Sequence, residues 1–265
     1  MKYLKLIRAR RSVRTFDGRP LTDEHLEKLR AFVRTIKNPY DIPVEFFFLD
    51  KAANGLSSPV ISGETMYAAA KVKNVPHSEE AFGYAFEQMI LYARYLGIGT
   101  TLIGGTMNRE AFETAVLRES DERMYLVTPL GYPADKMSLK ETAMRTAIRA
   151  DKRKPFDELF FENDFSAPLE TDDEAIREAL EAVRLAPSAV NKQPWRIVKC
   201  GNAFHFYEVH SKGYASEQTG DMQKIDMGIA LAHFMMMTDG AFSVADPEIP
   251  VSDDTEYIAT VTVGA

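Results

Sequence analysis

The sequence predicts an α+β fold in which one arrangement of elements occurs twice, with halves at 1–161 and 162–265. Three observations predict it. The order helix, strand, strand, helix, strand can be read twice along the chain, as an internal duplication would give. Each opening helix is entered through a Pro-Leu pair, Pro20-Leu21 and Pro168-Leu169. In each half a long apolar helix runs out near a glycine, Gly97 and Gly240, the residue that closes a helix with least strain.

The elements follow in order. Over 19–36, Leu26, Leu29, Phe32, Val33 and Ile36 recur at helical spacing behind a Thr22 cap. Over 167–186, Ile176, Leu180, Val183 and Leu185 do the same behind Thr171, with acidic residues in the first turn where the helix dipole favours them. Strands are expected at Val44–Leu49 and Trp195–Cys200, then at Met66–Val72 and Ala203–Val209. Apolar helices are expected at about 80–96 and 225–238. The second is apolar nearly all round, which predicts burial against the other half. Strands Met124–Gly131 and Tyr257–Gly264 close the halves. The first half adds a strand candidate, Thr100–Ile103, a short helix from Arg109, and a tail at 140–162 rich in Lys and Arg. Residues 51–64 read as a loop and 162–171 as a connection with few Gly or Ser.

Composition excludes several classes of function. The chain has 265 residues, 45% hydrophobic and 27% charged, which is ordinary for a globular protein. A net charge of −7 argues against general nucleic-acid binding. A single cysteine, Cys200, forms no internal disulfide and excludes Cys-rich zinc sites. The five histidines have no metal-ligand spacing, and His205 and His210 read as strand residues, so no metal site is expected. No run approaches the ~18–20 apolar residues of a membrane span. The start, charged from Lys2, lacks an apolar signal core, so a cytoplasmic protein is expected.

Against this acidic background, Arg10, Arg11, Ser12 and Arg14 stand out. Guanidinium forks and a hydroxyl suit phosphate oxygens, whereas the plain alternative is a solvated basic segment. Pro187-Ser188-Ala189-Val190-Asn191, with Gln193-Pro194-Trp195, places polar donors and acceptors beside a large aromatic. Turn chemistry alone also explains that segment. Gly104-Gly105 permits unusual backbone angles and close approach to a ligand, or is a plain loop. Arg145, Arg149, Lys152, Arg153 and Lys154 form a basic run before Pro155 that is either a solvated face or part of a phosphate site.

Together these residues resemble the FMN-dependent nitroreductase family. Its two signature motifs usually lie some tens of residues apart; here about 175 residues separate them. The resemblance implies a nitroreductase-like fold in which one chain mimics the family's homodimer, and a monomer in solution. It implies that Arg10, Arg11, Ser12 and Arg14 hold the FMN phosphate, with Arg153 as the terminal phosphate arginine. Gly104 and Gly105 match the segment that offers backbone N–H to flavin N5. Pro187, Ser188, Ala189 and Asn191 would line the flavin from the second half. The second site lacks both motifs: Asn163-Asp164-Phe165-Ser166-Ala167 and Thr35-Ile36-Lys37-Asn38-Pro39-Tyr40 stand in their places. The implied activity is ping-pong: NAD(P)H gives a hydride to the flavin, and a nitroaromatic or quinone-type acceptor takes the electrons. That scheme requires no acid–base side chain, and none is nominated. The rival expectations are an FMN-binding protein with little turnover, a relic without flavin, or a family member using oxygen or a halogenated aromatic as oxidant.

Overall fold

The structure, a computed structural model, describes residues 2–217 and 219–264. The first half runs α1 (Tyr3–Ala9), α2 (Asp23–Val33), β1 (Val44–Asp50), β2 (Met66–Lys73), α3 (Ser78–Tyr95), α4 (Arg109–Ala115), β3 (Glu122–Arg123), β4 (Val127–Leu130) and α5 (Leu139–Ala147). Then come β5 (Phe160–Glu162), α6 (Glu174–Arg184), β6 (Trp195–Cys200), β7 (Ala203–Val209), β8 (Ala215–Ser216) and β9 (Gly220–Asp221). The chain closes on α7 (Met222–Met235), β10 (Ala241–Ser243) and β11 (Thr255–Thr262).

Two sheets result. In the first, β2 pairs antiparallel with β1, β3 and β4. The second has the order β10-β11-β7-β6-β5, antiparallel except for the parallel β5–β6 pair. The expected boundary at 161/162 therefore falls inside β5, a strand of the second sheet. In β2 the period of two sends Ala68, Ala70 and Val72 into the main core with Phe82 and Phe86 of α3. Tyr67 and Ala69 face a smaller core with Ile103, Phe112 and Val116.

The halves meet along α3 and α7. A Cβ on Gly83 would overlap the carbonyl oxygen of Ile225, and one on Gly228 would overlap that of Glu80. The two contacts are reciprocal: each glycine meets the residue three positions before the other. That is the signature of a local two-fold relation. Glycine is required here because the helix backbones touch. As expected, α7 is buried on all sides, with Ile225, Met227, Ile229, Leu231 and Phe234 in the core. Among the described residues, a buried histidine–carboxyl contact crosses this seam. His233 Nε2 lies 2.9 Å from Glu87 Oε1, Nδ1 lies 2.7 Å from the Ala182 carbonyl, and both side chains are fully buried.

Several expectations need correction. Thr22 caps α2 by accepting from His25 N, but α6 is capped by Asp173, which accepts from Ala175 N and Ile176 N; Thr171 only accepts from Asp173 N. Aspartate wins because it stands where its carboxylate reaches two free amides. Gly97 does close α3 with φ +79°, whereas α7 ends at Met235 and Gly240 has no such role. Gly240 instead makes room for Val261. Of the strand expected at 124–131 only Val127–Leu130 forms, as β4, while β3 lies just before it at Glu122–Arg123. Residues 100–103 form isolated bridges to Ser12 and Val127 rather than a strand. Among the described residues, no helix is long and apolar enough to cross a membrane.

Candidate functional site

Between α1 and α2 the chain is extended, which carries the arginine segment across the first half. Val13 N donates to Thr100 O at 2.9 Å, and Ser12 bridges Thr100, so the 10–14 stretch lies along the strip that leads to Gly104. On its other side lies α5. Ser138 caps α5, and its N–H donates to Thr15 Oγ1 at 3.1 Å. The Glu141 carboxylate, buried at the first turn, accepts from Arg14 N at 3.2 Å and from Arg11 Nη1 at 3.3 Å.

The arginines divide into two kinds. Arg11 is tied to Glu141 and its side chain is 41% exposed. Arg10 Nε, Arg14 Nη1 and Arg153 Nε are buried without a hydrogen-bond partner among the described residues. These groups also repel one another. Burial lowers the pKa of Arg10, Glu87 opposes the shift, and Arg145 adds to it. Burial lowers Arg14 as well, against Glu141 and with Arg145. Burial, then Arg10 and Arg184, bring Arg153 down to about 10. At neutral pH all remain cations. Buried donors without acceptors cost free energy, so a cluster of this kind suits an anion bearing several oxygens. Arg145 belongs to the cluster, held by an ion pair to Asp151. Arg149 and Lys152 contribute backbone carbonyls, which accept from Asn191 Nδ2 at 2.8 and 2.9 Å.

The Pro187–Asn191 segment meets this cluster from the second half. Arg153 Nη1 donates to Asn191 Oδ1 at 3.3 Å, and Lys154 N donates to Gln193 Oε1 at 2.8 Å. Ser188 Oγ accepts from Gln193 N at 2.9 Å. Val190, Asn191 and Gln193 all have positive φ, at 49°, 58° and 53°. For β-branched Val190 this is a strained conformation, of the kind retained at binding loops. Asp226 of α7 holds the segment from beneath: both carboxylate oxygens accept Ala189 N, at 3.1 and 3.0 Å. Burial pushes the Asp226 carboxyl well above the ordinary carboxylate range; the Ala189 N–H opposes this, and Glu208 and Asp221 add to it. Sequence reasoning missed Asp226, although a lone acid between Ile225 and Met227 in an apolar helix was a signal. Glu141 carried no such signal, because its role comes only from where α5 docks.

Gly104 and Gly105 do not use the backbone freedom expected of them, since neither has a positive φ. Gly104 serves close approach: a Cβ there would lie 2.7 Å from Met222 Cε, while Gly105 faces open space. Arg109 braces the strip by donating to Gly104 O at 2.8 Å, Met124 O at 2.6 Å and Tyr125 O at 3.1 Å. The structure thus places Arg10, Arg14, Arg153 and Asn191 in one neighbourhood. Met222 and Asp226 place Gly104 and Ala189 at the same end of α7.

The pseudo-equivalent positions look different. Asp164 accepts from Ser166 N in an exposed turn. Tyr40 is packed between His77, stacked at 5.2 Å, and Phe242, edge-on at 4.7 Å. Aromatic packing fills that region.

The model of the family described as Putative TM nitroreductase matches residues 2–238. Among solved structures, one described as a putative nitroreductase from Thermotoga maritima MSB8 is 20% identical, with 99% of this chain and 94% of that chain covered and a TM-score of 0.62. A nitroreductase family protein from Clostridium difficile 630 is 17% identical over 60% of this chain and 96% of that one, TM-score 0.46. An FMN-dependent nitroreductase from Clostridium difficile R20291 is 14% identical over 50% of this chain and 88% of that one, TM-score 0.43. At 20% identity the likeness to the Thermotoga maritima structure is one of fold. No curated protein matches the sequence.

Proposed function

The chain belongs to the Putative TM nitroreductase family, and from that premise we propose that it is an FMN-dependent oxidoreductase driven by NAD(P)H. Nitroaromatic or quinone-type compounds are its acceptors, and one flavin site lies between the halves 1–161 and 162–265. The single observation that carries this reading is the set of buried, unpartnered guanidinium nitrogens on Arg10, Arg14 and Arg153. They fit a phosphate. Arg153 also bonds Asn191 of the second half, which fits a site built across the halves.

When bound, FMN supplies the hydride and electron chemistry; the protein supplies binding, orientation and electrostatics. Arg10, Arg14 and Arg153 hold the phosphate, with Ser12 beside them. Arg11 contributes by locking Glu141, and so α5, against the segment. Gly104 and Gly105 let the main chain approach the ring system. Pro187, Ser188, Ala189 and Asn191 form the second-half wall, and Asp226 fixes that wall through the Ala189 amide. No side chain is assigned an acid–base role.

The absorbance spectrum of the purified protein, with and without added FMN, tests the binding step. Saturable uptake of FMN, followed by steady-state oxidation of NADH or NADPH with a quinone, supports the reading. Uptake without turnover would favour a flavin-binding protein instead. A protein that stays colourless in excess FMN would overturn it.

A further inference from the structure

Glu208, at the end of β7, is fully buried, and neither carboxylate oxygen accepts a hydrogen bond from the described residues. His210 lies on the same face of the chain, two residues on, as strand alternation dictates. Its Nδ1 is 2.9 Å from Glu208 Oε1 but not aligned as a hydrogen bond. Asp221 approaches from the junction of β9 and α7. One ligand atom from each of the three residues lies within 4.8 Å of the others. Asp221 uses Oδ1 to cap α7, accepting from Gln223 N and Lys224 N, which leaves Oδ2 without a bond to the helix.

The surroundings complete the pattern. The other ring nitrogen of His210, Nε2, lies 3.2 Å from Glu256 Oε2. His210 thus turns one nitrogen toward Glu208 and the other toward Glu256, and a metal-bound imidazole faces an outer carboxylate with its second nitrogen in the same way. Glu256 is held in turn by Lys224 Nζ at 2.9 Å. Glu80, with His77 3.4 Å from its Oε1, and Asp226 lie further in on the same side. Five carboxyl groups therefore face one lysine and two histidines.

We propose that Glu208, His210 and Asp221 bind a divalent cation of zinc type, which fastens the start of α7 to the end of β7. An imidazole ligand disfavours calcium and magnesium, which take oxygen ligands, and three protein ligands suit zinc with one position left for water. Neither Glu-x-His nor the distant Asp221 reads as a metal motif in the sequence, because β8 intervenes. The ion would set the position of Met222 and of α7, and through Asp226 that of Ala189.

The test uses the full chain, treated with chelator and titrated with zinc chloride by calorimetry. One equivalent per chain is expected. Glu208→Gln and His210→Ala each lower zinc affinity at least tenfold, and Glu256→Gln lowers it by about tenfold. Hydrogen exchange on the unaltered protein provides a second readout. Zinc should slow the amides of β9 and the first turn of α7 and leave β1 unchanged. Absence of saturable zinc uptake overturns the site, as does uptake that neither Glu208→Gln nor His210→Ala changes. Displacement of the zinc by equimolar calcium would also overturn it, since the imidazole would then not be a ligand.

Discussion

Arg153 donates through Nη1 to Oδ1 of Asn191 at 3.3 Å, joining the basic tail of the first half to the polar loop of the second. The same nitrogen also donates to the carbonyls of Ala150 and Lys152, both at 2.9 Å, so the guanidinium is held in place before any ligand arrives. A charge-assisted contact is typically worth ~1.5–3 kcal/mol, or about ten- to a hundredfold in affinity. Arg153→Ala should weaken FMN by that factor and riboflavin far less. Equal losses for both, measured by flavin fluorescence titration, would move Arg153 away from the phosphate.

Arg14 and Arg11 are neighbours in sequence but not in role. Arg14 Nη1 is buried and unpartnered, whereas Arg11 pairs with Glu141 and is partly exposed. Arg14→Ala is expected to cost FMN affinity about tenfold or more. Arg11→Ala should cost less FMN affinity, since its guanidinium is already engaged by the Glu141 carboxylate. The reverse order in the same titration would place Arg11 on the phosphate.

Much of this was legible in the sequence where chemistry is contiguous. The arginine segment and the Pro187–Asn191 segment each lie within a few residues, so their residue types could be read directly. The paired helices and strands were legible because apolar periodicity is local. What was not legible depends on docking. Glu141 matters only because α5 folds back on Arg14, and Glu208 and Asp221 converge only because β7 ends beside α7. The strip at 100–103 looked like a strand by composition, but it makes isolated bridges to both sides instead of a ladder. Gly83 and Gly228 carry no signal of their own in the sequence, and only the crossing of α3 and α7 explains them.

That crossing makes a prediction with an unusual sign. Glycine to alanine inside a helix ordinarily stabilises by ~1 kcal/mol. At Gly83 and Gly228 the added methyl would meet backbone oxygen of the facing helix, which cannot move aside alone. Each substitution should therefore destabilise by ~1–3 kcal/mol or more, as overpacking does. Urea unfolding of Gly83→Ala and Gly228→Ala measures this, and unchanged or raised stability would show that the helices separate easily.

Asp226 predicts a pH dependence. Its carboxyl is held well above the ordinary range by burial, so the folded protein keeps this proton longer than the unfolded chain does. Between the two pKa values the folded state binds more protons, and stability falls as pH rises. Below the unfolded value the group imposes no penalty; above the folded value the penalty is complete. Asp226→Asn retains an oxygen to accept Ala189 N–H and carries no charge. Its stability relative to wild type should rise as the pH is raised from the unfolded carboxylate pKa of about 4, measured in urea unfolding. A constant difference as the pH is raised would mean that Asp226 titrates normally.

The last expectation concerns stoichiometry. The Arg10–Arg14 segment and Arg153 have no counterpart at Asn163–Ala167, where Asp164 lies in an exposed turn. The counterpart of the Pro187–Asn191 loop ends in Tyr40, whose ring is packed between His77 and Phe242. A second flavin would have to displace that packing and place its phosphate beside a carboxylate. One FMN per chain is therefore expected in equilibrium titration. The contact between α3 and α7 already lies within the chain, so light scattering of the flavin-loaded protein should give a monomer. Two equivalents of FMN would sink the one-site reading. A dimer that releases FMN on dilution to monomer would place the flavin between chains, and the partnership of Arg153 and Asn191 would then serve the fold alone.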